Sequence, residues 1–274
     1  MKMTTPLRDR RPEKIAHFNA DYNDGKNSGY TGVTCLPDGK IILVDNNNST
    51  CRLYDQSNRH LVDYNLSSLP CDVCVIDEAQ VAVTLPDKEE IQLLTVTSSI
   101  QPGRIIKTNL RCYGIVALTE EQLVISGRKK DKLYWCIVSM DASMKLLVKV
   151  CNTIWSSSLA TNNGRTCFYV SCFSHSAVHA YCMDGKILFT YKHNALDGAR
   201  GVAVDSQDNI YVVGEKSVNI HQVSPNGKPL QVFSVGIPRS PQAICFTSSG
   251  DKFVLIGDFL VLGDRKLVQI FEMI

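Results

Sequence analysis

The chain has 274 residues, 44% of them hydrophobic, and a formal net charge of +2. That composition suits a globular protein with a sizeable core. It excludes a binder that holds nucleic acid by bulk charge, though not one with a local basic patch. No apolar run of roughly 18 residues occurs, so no membrane-spanning helix is expected.

Residues 1–13 are polar and basic (Lys2, Arg8, Arg10, Arg11) and lack the apolar stretch of a secretory signal. They read as a flexible segment, followed by one domain over 14–274. Lys14 to Asn19 alternates polar and apolar residues like an exposed strand. Next come Gly32-Val33-Thr34-Cys35, the turn Pro37-Asp38-Gly39 and the apolar run Ile41 to Asp45. This pattern returns at intervals of about 42 residues, the signature of a blade that cannot bury its faces alone. First strands begin at Gly32, Asp72, Gly114, Ser158, Gly201 and Gln242. Second strands cover 40–44, 80–84, 122–126, 166–171, 209–213 and 252–256. Third strands follow over 51–54, 91–96, 134–139, 178–182, 218–223 and 267–273. Hairpin residues such as Asp55-Gln56-Ser57-Asn58, Met183-Asp184-Gly185 and Pro225-Asn226-Gly227 lead into the fourth strands. After Ile274 nothing remains for a fourth strand in the last unit, and Lys14 to Asn19 matches the missing piece. The expected fold is all-β: a six-bladed β-propeller of four-stranded antiparallel blades, closed by an N-terminal strand.

The 11 cysteines are odd in number and scattered through apolar runs, as expected for reduced, buried thiols in a cytoplasmic protein. Cys71 and Cys74 lie three apart on an expected strand. They point to opposite faces and cannot share an ion. No metal site and no cofactor are expected.

Gly32 to Asp45 and Gly201 to Val213, with Thr50-Cys51-Arg52-Leu53 as a relic of an Asn-x-Arg-Ile element, resemble NHL repeats. The chain from about residue 14 onward is similar to the propeller of the tripartite-motif proteins. Gly214 departs from the family's Asp after the second strand. The resemblance implies the substrate-recruiting part of a ubiquitin-ligase-like protein, whose ligase module would lie outside this chain.

Strand direction places the starts of first strands and the second-to-third loops on one face, here called the top. That face collects Arg111, Arg128, Lys129, Lys130, Arg200, Lys216 and Arg239, with Tyr113 and Trp155 beside them. The opposite face carries Asp38, Asp77, Glu78, Glu120, Glu121, Asp208 and Asp251. The expected function is non-catalytic: a scaffold whose top face binds a protein or acidic peptide. The alternative is single-stranded RNA on the same basic loops. A six-bladed hydrolase or lactonase ranks third. Of the expected channel-entrance residues Thr31, Asp72, Tyr113, Ser157, Arg200 and Pro241, one alone is a carboxylate, which does not make a cation site.

Overall fold

In the computed structural model, residues 9–20, 28–130, 132–151, 156–234, 236, 239–259 and 265–274 are described. Their strands form six sheets of four, each in sequential antiparallel order except one. The exception pairs Pro12–Asn19 with Arg265–Met273, so the first strand of the chain is the outer strand of blade 6. It begins two residues earlier than the alternation suggests. Arg11 and Ile274 extend the ladder, exchanging backbone bonds of 2.9 and 3.0 Å. Residues 10–13 therefore belong to the ring rather than to a flexible tail.

The innermost strands are Tyr30–Cys35, Val73–Val75, Arg111–Thr119, Ser156–Thr161, Ala199–Val204 and Arg239–Phe246. The expected hairpins form where turn chemistry placed them. Asn58, Gly185 and Gly227 take positive φ values of 62°, 86° and 83°. Asp55 accepts bonds from the backbone of Ser57 and Arg59 at 2.8 and 2.9 Å, which fixes its loop.

The hydrophobic core is divided into six wedges, and each wedge joins two blades. Ile42, Val44 and Leu53 of blade 1 pack with Val81, Val83 and Leu94 of blade 2. The seam between blades 6 and 1 is filled by Val254, Ile256 and Val268 against Leu43 and Tyr54, with Phe18 on its flank. Outer strands face solvent on alternate residues, as in His60–Asn65.

Polar groups bind the wedges near the axis. Thr84 of blade 2 donates to the Tyr113 carbonyl at 2.8 Å, and Ser171 of blade 4 donates to the Arg200 carbonyl. At the blade 1 rim, the Ala20 carbonyl accepts bonds from Arg52 Nη1 at 2.9 Å, Tyr30 at 2.8 Å and Tyr54 at 3.2 Å. Blade 5 repeats the latch in reduced form: Asn219 donates to the Ala195 carbonyl at 2.7 Å.

The glycine that opens the blade pattern has a packing reason. A Cβ on Gly201 would lie 2.9 Å from the Ala243 Cα and 3.0 Å from the Ile244 nitrogen of the next inner strand. Both obstacles are backbone and cannot swing aside. Gly201→Ala is expected to destabilise the ring by about 1–3 kcal/mol, read as a lower urea midpoint with an unchanged slope. An unchanged midpoint would mean that the inner strands part freely.

Candidate functional site: the central channel

Six inner strands around an axis leave a channel where their side chains do not meet. Here it encloses about 350 Å³. Val33, Val73, Ile115, Leu159, Val202 and Ala243 supply the apolar part of its wall. Its mouth is polar, with Asn163, Arg165, Ser206, Thr247 and Ser248 from the first-to-second turns of blades 4, 5 and 6. The mouth therefore lies on the face opposite the basic loops. Asn163 stiffens it: the backbone nitrogen bonds Asp208 at 2.7 Å, and the side-chain amide bonds the Asp205 carbonyl at 2.9 Å. Arg165 holds a φ of 52° beside the opening.

Two carboxylates line the channel. Asp205 is committed to its own turn, accepting Asn209, Gln207 and the Tyr211 hydroxyl. Asp72 is different. It stands at the inner end of the channel, just before Val73–Val75, and is 9% exposed. One oxygen accepts the Val73 N–H at 2.9 Å and the other the Ile115 N–H of the neighbouring blade at 3.2 Å. A carboxylate has about four acceptor positions, so each oxygen keeps one for a ligand. Burial pushes the Asp72 carboxyl up to about 7, against the pull of those two backbone bonds. A group that titrates near neutrality in a pocket can both take and return a proton.

Among the described residues, no three His, Cys, Asp or Glu side chains converge as metal ligands would. The described cysteines are free thiols. No helix among the described residues is long and apolar enough to cross a membrane.

The residues expected to bind a partner on the top face sit at inner-strand starts and second-to-third loops, and none of those described lines the channel. Arg111 and Arg128 are direct backbone partners on blade 3, continuous with Lys129 and Lys130. Arg111 forms an ion pair with Asp87. Arg200 pairs with Glu215 at 3.1 Å, and Lys216 approaches Asp197 at 3.9 Å. Both cations also lie over the Phe173 ring, at 5.7 and 5.1 Å from its centroid. Arg239 begins the blade 6 inner strand, and Tyr113 is half-buried with its carbonyl bound by Thr84. Trp155 lies outside the described residues. Neighbouring carboxylates thus meet the charge of Arg111, Arg200 and Lys216 locally.

No family model and no curated protein matches the chain. Solved structures do. Virginiamycin B lyase from Staphylococcus aureus superposes with a TM-score of 0.65 at 13% identity, covering 93% of this chain and 98% of that one. A streptogramin B lyase gives 0.65 at 12% identity, over 94% and 97%. A luciferin-regenerating enzyme gives 0.72 at 17% identity, over 95% of each chain. The likeness is one of fold.

It corrects the functional expectation. The three solved structures named, each covered over nearly its whole length, bear the names of enzymes, and none of the three is a tripartite-motif protein. The expectation of a non-catalytic scaffold for a peptide, with RNA as its alternative, does not stand, nor does the expectation that the chain is no enzyme. The physical error lay in counting carboxylates. One carboxylate makes a poor cation cage, but proton transfer needs only one, provided that burial tunes it. Asp72 was visible at the start of its strand. What the sequence could not show was the wall of five other blades that desolvates it.

Proposed function

We propose that the chain is an enzyme of the propeller hydrolase or lyase kind, working in the central channel with Asp72 as its proton-transfer group. The observation that carries this reading is the buried Asp72 carboxyl, tuned to about 7, at the end of a 350 Å³ channel. In the ionised form Asp72 removes a proton from a water or from an acidic carbon of the substrate, and then returns it to the leaving group. The Val73 and Ile115 N–H groups hold the carboxylate in place during both steps. Arg165 at the mouth suits a small substrate with a negative substituent. The cysteine usage supports a reducing compartment, the cytoplasm.

The test is a panel of small lactones, esters and substrates prone to β-elimination, assayed with the wild type and with Asp72→Asn. The variant is expected to lose about 100-fold or more in rate. The wild-type rate should rise with pH through about 7, as the base ionises. The variant should also be stable at pH 8. The folded-state value of Asp72 lies above its reference of 3.8, so ionisation withdraws stability as pH climbs from about 4 to about 7. Asn carries no such loss. Undiminished turnover in a folded Asp72→Asn protein would remove Asp72 from the chemistry.

A further inference from the structure

Cys35 and Cys245 are 210 residues apart in sequence, yet their sulfurs lie 3.4 Å apart. Cys35 ends the inner strand of blade 1, and Cys245 lies near the end of the inner strand of blade 6. The two thiols thus face each other across the seam between the last and first blades, within its apolar wedge. Both also line the channel, so a small solute entering the mouth reaches them. Their surroundings are apolar, with Val33, Ile41, Ala243 and Val254 in the same wedge. Among the described residues, no other two cysteine sulfurs make hydrogen-bonding contact. Neither thiol has a role in the proton transfer assigned to Asp72, and the inference stands independently of it.

We propose that Cys35 and Cys245 form a modification site, a vicinal dithiol that peroxide oxidises to a disulfide joining the first and last blades across the channel wall. The sulfurs must close from 3.4 Å to a bond of about 2.05 Å. The cavity beside them leaves room for that movement.

The reaction balances with one hydrogen peroxide. One sulfur, as thiolate, attacks the O–O bond, takes the hydroxyl as sulfenic acid and releases hydroxide, which collects the displaced thiol proton as water. The second sulfur then attacks the sulfenic sulfur, and the departing hydroxyl takes that thiol's proton as a second water. Two thiols are oxidised, and one peroxide is reduced to two waters. The contact with Cys35 and burial hold the Cys245 thiol well above its usual range, which makes it a weak first nucleophile toward peroxide. The product closes a loop through most of the chain, the geometry in which a cross-link restricts the unfolded chain most.

The experiment uses the full chain, treated with stoichiometric hydrogen peroxide, digested without reductant and mapped by mass spectrometry. The expected result is one linked peptide pair, Cys35 with Cys245, lighter by two hydrogens and separated by a thiol reductant. Cys35→Ala and Cys245→Ala should each abolish it. The wild-type map decides the matter alone if a variant folds poorly. Sulfinic acid at either residue without a link would overturn the proposal. So would a link that forms first at Cys167 and Cys182, which oppose each other on neighbouring strands of blade 4.

Discussion

A chain lacking residues 1–20 is expected to aggregate, or to lose the cooperative unfolding transition of the intact protein. The deletion removes the outer strand Pro12–Asn19, which is paired with Arg265–Met273 from Pro12↔Met273 to Asn19↔Leu267. It leaves a nine-residue edge containing Val268, Phe271 and Met273, all buried in the intact ring. An unpaired, apolar edge of that length templates pairing with other chains. The deletion also strips Phe18 from Tyr54, whose ring centroids are 4.8 Å apart, and removes the fully buried Ala20 with its three-bonded carbonyl. Domain stability is about 5–15 kcal/mol in total, and these losses fall on one seam. Size-exclusion chromatography and thermal melting decide. A monomeric truncated protein that melts like the full chain would show that the ring closes without this strand.

Arg52→Leu is expected to cost about 3–5 kcal/mol, the usual penalty for removing one partner from a buried ion pair. The Arg52 side chain is 1% exposed and its Nη2 lies 3.7 Å from Asp45, itself fully buried. Asp63 lies 3.6 Å away, the Tyr30 ring 5.7 Å away, and Nη1 satisfies the Ala20 carbonyl. Leucine would leave the Asp45 charge with only its loop donors Gly29, Asn47 and Asn48. Arg52→Lys should recover little, because a single ammonium cannot serve groups placed around a planar fork. Chemical denaturation measures both variants. A loss below about 1 kcal/mol for Arg52→Leu would show that the latch is incidental to blade 1.

The fold was legible because each blade repeats the same local signals, so an ambiguous copy borrows certainty from a clear one. Gly32 to Asp45 and Gly201 to Val213 set the frame in which the short Val73–Val75 strand can be recognised. Even the closure could be read, from an alternating segment at one end and a missing strand at the other. The site was less legible, because its properties arise between blades. Asp72 is an ordinary aspartate until Ile115, 43 residues later, donates to it and the remaining inner strands exclude water from it. Cys35 and Cys245 look like two small hydrophobes until the ring brings them together. The basic loops stood out because charge is visible residue by residue. The carboxylates that meet Arg111, Arg200 and Lys216 come from other loops, whose reach the sequence does not display.

The seam between the last and first blades also sets a clock on synthesis. Arg10 and Met273 meet in the finished ring but are 263 residues apart. At translation rates of roughly 5–20 residues per second, the first strand waits for about 13–53 s before its partner exists. During that interval the first and the newest blades each offer one bare apolar face to solvent, and the wedge flanked by Phe18 has only half of its lining. The nascent chain thus exposes its most adhesive surface when neighbouring ribosomes on the same message carry identical copies. The polar alternation of Pro12–Asn19 keeps the waiting strand soluble by itself, and the ring is shut only once Arg265–Met273 has been made.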